Sequence, residues 1–169
     1  MSKERARTEA RKLLKQFGID KAPINVERIA RNLGIRIQFA PFDGELSGMA
    51  FIKDGIPIIG INSLHHPHRQ RFTLAHELAH IQLHREEIEA KVHVDMGVLR
   101  RDSLASAGVD QFEIQANTFA SELLIPEDLL EEILAGRSLD IEDVDMVASL
   151  AKRFKVSEAA MKYRLLAFE

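Results

Sequence analysis

The sequence contains no cysteine and no tryptophan, and its only tyrosine is Tyr163. Without cysteine there are no disulfides, no thiolate zinc sites and no cysteine nucleophile, so any bound metal must be held through nitrogen and oxygen. No segment approaches the roughly 18 uninterrupted apolar residues of a membrane span, and the opening MSKERARTEARKLLKQFG has no apolar signal-type stretch. A cytoplasmic protein with no membrane association is the expectation. Excess positive charge is also missing: the formal net charge is −3, which removes any global electrostatic argument for nucleic-acid binding. The remainder is an ordinary globular composition, 46% hydrophobic and 29% charged over 169 residues, sufficient for one domain with its own core.

Periodicity then divides the chain. Ala6, Ala10, Leu13, Leu14 and Phe17 recur at helical spacing between Ser2 and Gly18, and a shorter helix is expected at 24–33. From residue 35 the pattern becomes strand-like in IRIQF, SGMAFI and IPIIGI, punctuated by Asp43-Gly44 and Asp54-Gly55. The expectation is a hairpin over 47–61 within a small three-stranded antiparallel sheet. Helical spacing returns at about 68–84, 110–124, 127–135, 141–154 and 157–167. Between these, 85–109 combines a charged helical start, a short strand at Val92–Val94 and a polar connection expected to be mobile near 100–109. The fold class is α+β, mainly helical, with a weakly marked boundary near 137–140.

The stretch TLAHELAH, residues 73–80, carries the chemistry. At about 100° per residue His76 and His80 lie about 40° apart on one helical face, so both imidazoles can meet one ion. Glu77 is rotated about 100° from His76, beside such an ion rather than on it, where it could take a proton from water. The same pattern also fits a helix whose histidines are merely surface or satisfied core residues. A third ligand has to decide, because catalytic zinc usually takes three protein ligands. His84 lies a further turn along and reads as a helix-end or supporting residue. In FEIQANTFASELLIP, residues 112–126, Glu113 shares a face with Ala116, Asn117 and Ala120, and the small alanines permit close approach to the histidine helix. An inward carboxylate there needs a cation, although a helix-start carboxylate favoured by the helix dipole explains the position as well. Asn117, one turn on, either orients a ligand or satisfies a polar pocket. HHPH at 65–68 reads as a solvated helix-start turn around Pro67 rather than a second metal site.

RFTLAHELAHIQLH followed by FEIQANTFASELLIP resembles the ImmA/IrrE family of HExxH metallopeptidases, over about residues 20–169. The resemblance implies a zincin-like metallopeptidase domain at 1–137 and a C-terminal helix-turn-helix-like segment at 138–169 packed on it. It implies zinc, with manganese as a substitute, bound by His76, His80 and Glu113, and Glu77 as catalytic base. It further implies a protein substrate, a helix-turn-helix transcriptional repressor cleaved to relieve repression under stress. The rival is a non-hydrolytic metal-binding regulator that binds a repressor or DNA. His93 and Tyr163 are candidate oxyanion donors, and by analogy with other zinc peptidases an extended substrate would add to a free sheet edge at SGMAF, residues 47–51.

The C-terminal MVASLAKRFKVSEAAMKYRLLAF, residues 146–168, resembles helix-turn-helix, with Ser157 as second N-cap and Lys152, Arg153, Lys155, Lys162 and Arg164 making it locally basic. The preceding acidic DIEDVD counts against DNA contact. Packing of Leu150, Phe154, Val156, Met161, Leu165 and Leu166 on the rest of the chain is the preferred expectation.

Overall fold

Local chemistry sets most helix ends in the computed structural model, which describes residues 2–95 and 107–168. Ser2 Oγ accepts from the Arg5 N–H to open α1 (Lys3–Gln16), and Asn25 Oδ1 accepts from the Arg28 N–H to open α2 (Val26–Asn32). Both put their apolar stripe inward, with Ala6, Ala10, Leu13, Leu14, Val26, Ile29 and Ala30 buried. The expected mobile stretch near 100–109 lies outside the described residues up to position 106.

The strands are β1 (Arg36–Ala40), β2 (Gly48–Lys53), β3 (Ile56–Asn62) and β4 (His93–Asp95). Asp54 and Gly55 both take positive φ, 52° and 77°, the geometry of a two-residue hairpin turn, and β2 pairs antiparallel with β3 as expected. Two features differ from a three-stranded antiparallel sheet. The sheet has four strands in the order β1-β3-β2-β4, and β1 runs parallel to β3. The physical reason is the 41–47 connection, which carries the chain across so that β1 reaches the far side of β3. Buried Asn62 holds that connection, its Oδ1 accepting from the Phe42 N–H at 3.3 Å and its Nδ2 donating to the Leu46 carbonyl at 2.8 Å. The second difference follows from β4, which covers β2 at Gly48, Met49 and Ala50, so SGMAF is not a free edge.

Pro67 opens α3 (Pro67–Leu83), and His66 Nδ1 accepts from the His68 N–H at 3.0 Å. Every residue of α3 from Thr73 to Ile81 is buried, because the helix is enclosed by α2, by the sheet and by α5 (Ala107–Leu124). Ala75 and Ala79 on α3 and Ala116 and Ala120 on α5 are fully buried. The short α4 (Arg85–Ala90) leads into β4.

After α6 (Glu127–Leu134), α7 (Val144–Phe154) and α8 (Glu158–Leu166) are joined by a tight turn in which Lys155 is left-handed, φ 53°, and Ser157 Oγ accepts from the Ala160 N–H. Arg164 fastens this pair to the rest: at 4% exposure it donates to Glu122 Oε2 at 2.6 Å and to the Ile125 carbonyl at 2.8 Å. Glu122 also receives Arg11 from α1 at 3.0 Å. From α3, Arg71 donates to the Phe154 and Lys155 carbonyls at the end of α7. Arg164, counted among the basic residues of this segment, is therefore internal.

Gly48 sets how closely β2 crosses α3. A β-carbon there would lie 2.5 Å from Thr73 Cγ2 and 2.8 Å from the Gly60 carbonyl oxygen, with Glu77 Cγ next at 3.7 Å. Gly48→Ala should destabilise the protein by about 1–3 kcal/mol, the usual range for overpacking. A lower denaturation midpoint at unchanged m-value is the expected result, and an unchanged midpoint would mean that β2 moves off α3 freely.

Candidate metal centre

His76 and His80, one turn apart on α3, bring their Nε2 atoms to 3.2 Å from each other. The Glu113 carboxylate from α5 completes a triangle, with Oε2 at 2.9 Å from His76 Nε2 and Oε1 at 3.2 Å from His80 Nε2. Both imidazoles are buried and Glu113 is partly so.

Hydrogen bonds on the other side of each ring fix which nitrogen carries the proton. Asn117 Oδ1 lies 2.9 Å from His76 Nδ1, so Nδ1–H donates and Nε2 keeps its lone pair. The link from His80 is longer. His84 Nε2–H donates to Gln115 Oε1 at 2.7 Å, which leaves His84 Nδ1 to accept from His80 Nδ1–H at 2.9 Å. His80 Nε2 is thereby also a lone pair. Two lone pairs and an anionic carboxylate thus converge in a buried space, an arrangement that demands positive charge between them.

The donor set fits a small divalent cation. Its separations of 2.9, 3.2 and 3.2 Å lie near the edge of about 3.3 Å expected for a tetrahedron with metal–ligand distances of about 2.0 Å. Against burial, Glu113 and then the Asp95 and Glu77 charges lift the His76 imidazole above its usual range, the response of a group facing uncompensated negative charge. Burial pushes the Glu113 carboxyl up, but the three imidazoles of His76, His80 and His93 set against it prevail and hold it well below the usual carboxylate range. Burial pushes His80 down to about 3, which keeps its imidazole neutral.

Glu77 is fully buried beside the triangle, and burial raises its carboxyl above the usual range. Its Oε2 lies 2.9 Å from His93 Nδ1, whereas Oε1 has no hydrogen-bond partner among the described residues. His93, on β4, also places Nε2 2.8 Å from Glu113 Oε1. Its imidazole is pulled up to about 10 against burial, first by the Glu77 charge and then by its bond to Glu113.

The structure therefore brings His76, Glu77, His80, Glu113, Asn117 and His93 together. It does not bring Tyr163, which is 50% exposed on α8, where its neighbour Arg164 is bound to Glu122 and Ile125 at the end of α5 opposite Glu113. Among the described residues, the HHPH histidines join no metal-capable group, and His65 instead lies 3.1 Å from the Gly44 carbonyl. Sequence reasoning missed Gln115 and Asp95. Gln115 has no distinguishing spacing, and Asp95, with a carboxylate oxygen within 4.8 Å of the donor atoms of His76 and Glu77, becomes visible only once β4 is paired with β2.

A buried His/Glu cluster able to coordinate a metal ion, carried on a helical α+β frame, defines a metalloenzyme-like protein. The chain belongs to the Peptidase M78 family, the IrrE N-terminal-like domain, whose model matches residues 30–166. It is 35% identical over 115 residues to the radiation response metalloprotease IrrE of Deinococcus radiodurans, covering 64% of this chain and 30% of that protein. Identity to the radiation response metalloprotease IrrE of Deinococcus deserti is 29% over 167 residues, covering 95% and 53%. An uncharacterized protein of Bacillus subtilis, YqaB, is 28% identical over 142 residues, covering 84% and 70%. A solved structure titled Mycobacterium tuberculosis transcriptional regulator shares the fold, with a TM-score of 0.60 at 17% identity, over 94% of this chain and 45% of that one. The chain thus spans about half or less of the two IrrE proteins and of the solved structure.

Asn117→Ala removes the acceptor that orients His76, and loss of such a partner typically costs about 10–100-fold in metal affinity. Competition against a chelator should show that drop; unchanged affinity would mean that packing alone orients the ring.

Proposed function

We propose that the protein is a zinc-dependent endopeptidase that cuts a protein partner, a helix-turn-helix transcriptional repressor, and so relieves repression under stress. Membership of the Peptidase M78 family and the metalloprotease names of the two IrrE relatives support the reaction class. The repressor rests on the resemblance of the motifs to the ImmA/IrrE family. The observation that carries the enzymatic reading is Glu77: a fully buried carboxylate beside the donor triangle with one oxygen unpartnered among the described residues. A purely structural metal site has no use for such a group.

In this reading His76 Nε2, His80 Nε2 and Glu113 hold the ion, zinc with manganese as a substitute. When bound, such an ion supplies Lewis-acid activation of water and of the scissile carbonyl. Glu77 Oε1 accepts the proton of the attacking water, and burial, which raises the proton affinity of this carboxyl, lets it hold that proton until the leaving amine takes it. Asn117 and the His84–Gln115 relay keep both imidazoles in the tautomer that points a lone pair inward. His93 stands beside the reacting groups as the oxyanion candidate retained from the sequence.

We place residues 138–169 on the same body as the site, supported by the Arg164 and Arg71 attachments. With Arg164 buried, the exposed basic residues are Lys152, Arg153, Lys155 and Lys162, and DNA contact is not part of the proposal. A cytoplasmic location belongs to this reading; among the described residues no helix is long and apolar enough to cross a membrane. One observation favours the second reading, a non-hydrolytic metal-binding regulator of a repressor or DNA: His93 already engages both Glu77 and Glu113.

The two readings separate on one experiment. Incubated with Zn²⁺ or Mn²⁺ and a repressor encoded next to it, the protein should produce discrete fragments. Glu77→Gln should keep its metal and lose about 10²–10⁴-fold in cleavage rate, the range for a general base. Tight repressor binding without fragments would instead support the regulator.

In the Glu113→Ala variant the metal itself should be lost, because a ligand is removed. Metal content measured after dialysis checks this, and an unchanged content would take Glu113 out of the ligand set.

A further inference from the structure

We propose that His93 is a third imidazole ligand of the same cation in the resting protein, with Glu77 as the acceptor that orients it, so that the resting site has four protein donors and is closed. The inference rests on the reading of the His76–His80–Glu113 cluster as a metal centre.

The three histidines share one pattern. His76 directs Nδ1 at Asn117 and His80 directs Nδ1 at His84, leaving each Nε2 inward. His93 directs Nδ1 at Glu77 Oε2, 2.9 Å away. An ionised carboxylate only accepts, so Nδ1 donates and a neutral ring keeps its lone pair on Nε2. That nitrogen faces Glu113 Oε1 at 2.8 Å, beside the Nε2 atoms of His76 and His80, and a cation bound there takes its lone pair in place of the proton that otherwise bridges to Glu113. The donor atoms of His76, His80, His93 and Glu113 all lie within 4.8 Å of one another. A carboxylate bonded to the outer nitrogen of a ligating imidazole is a recurrent way of fixing metal ligands.

The consequence concerns latency. Catalytic zinc sites keep one position open, whereas four protein donors make a closed site. Glu77 is also occupied at Oε2, so ligation by His93 blocks the open position and engages the base at once. The ring of His93 lies against that of His80, with centroids 3.8 Å apart. Opening therefore requires His93 Nε2 to leave the ion, which frees that nitrogen, once protonated, for the oxyanion role given to His93 above. The strand that carries it is short: β4 pairs with β2 through His93, Val94 and Asp95 only.

Zn²⁺-loaded wild type, studied by X-ray absorption at the zinc edge, should show three imidazoles, and His93→Ala one fewer with an added oxygen donor. With Co²⁺ in place of zinc, acetohydroxamate should leave the visible spectrum of wild type unchanged and alter that of His93→Ala. Two imidazoles in wild type, together with a cobalt spectrum that responds to acetohydroxamate, would overturn this inference and leave the metal centre standing; His93 would then bridge the two carboxylates as a double donor. No metal in wild type would overturn both. The wild-type imidazole count decides even where His93→Ala fails to fold.

Discussion

Two imidazole lone pairs and a carboxylate meet within about 3 Å in a buried space, and the rest of the structure is arranged around that conflict. Burying such groups without a countercharge is costly, and removing one partner from a buried charged set leaves the others uncompensated. The groups are nevertheless held with some redundancy. Asn117 and the His84–Gln115 relay fix the proton positions, and the relay starts from the residue that ends α3, so the helix terminus itself takes part in orienting His80.

The scaffold serves the same purpose at longer range. Alanines on α3 and α5 remove the bulk that would hold those helices apart, and Gly48 lets β2 approach α3 at the level of Glu77. At the far end of α5, Glu122 accepts from Arg11 of α1 and from Arg164 of α8. One helix thus carries Glu113 at the candidate metal centre and Glu122 at the joint with the N- and C-terminal helices. The orientation of Glu113 is tied to packing well away from it.

Much of this was legible in the sequence for a definite reason: helical periodicity is local. The angle between His76 and His80, and the face shared by Glu113, Ala116, Asn117 and Ala120, follow from spacing alone, and the structure assembles those groups. The Asp54-Gly55 hairpin was legible because positive φ selects residue type. Strand partners were not, since a period of two shows that a strand exists without saying what it pairs with; hence the parallel β1 and the added β4. Side chains whose role depends on tertiary contact were invisible or misleading: Gln115 and Asp95 carry no spacing signal, and Arg164 looked like part of a basic surface but is buried against Glu122. Tyr163, named from the sequence as a candidate oxyanion donor, lies half exposed on α8.

The donor geometry calls for one divalent cation in this cluster. Anomalous diffraction from crystals of the zinc-loaded protein, recorded on either side of the zinc absorption edge, tests it most directly. One dominant peak is expected within bonding distance of His76 Nε2, His80 Nε2 and the Glu113 carboxylate. A featureless map at that position, or a dominant peak held by other residues, would contradict it.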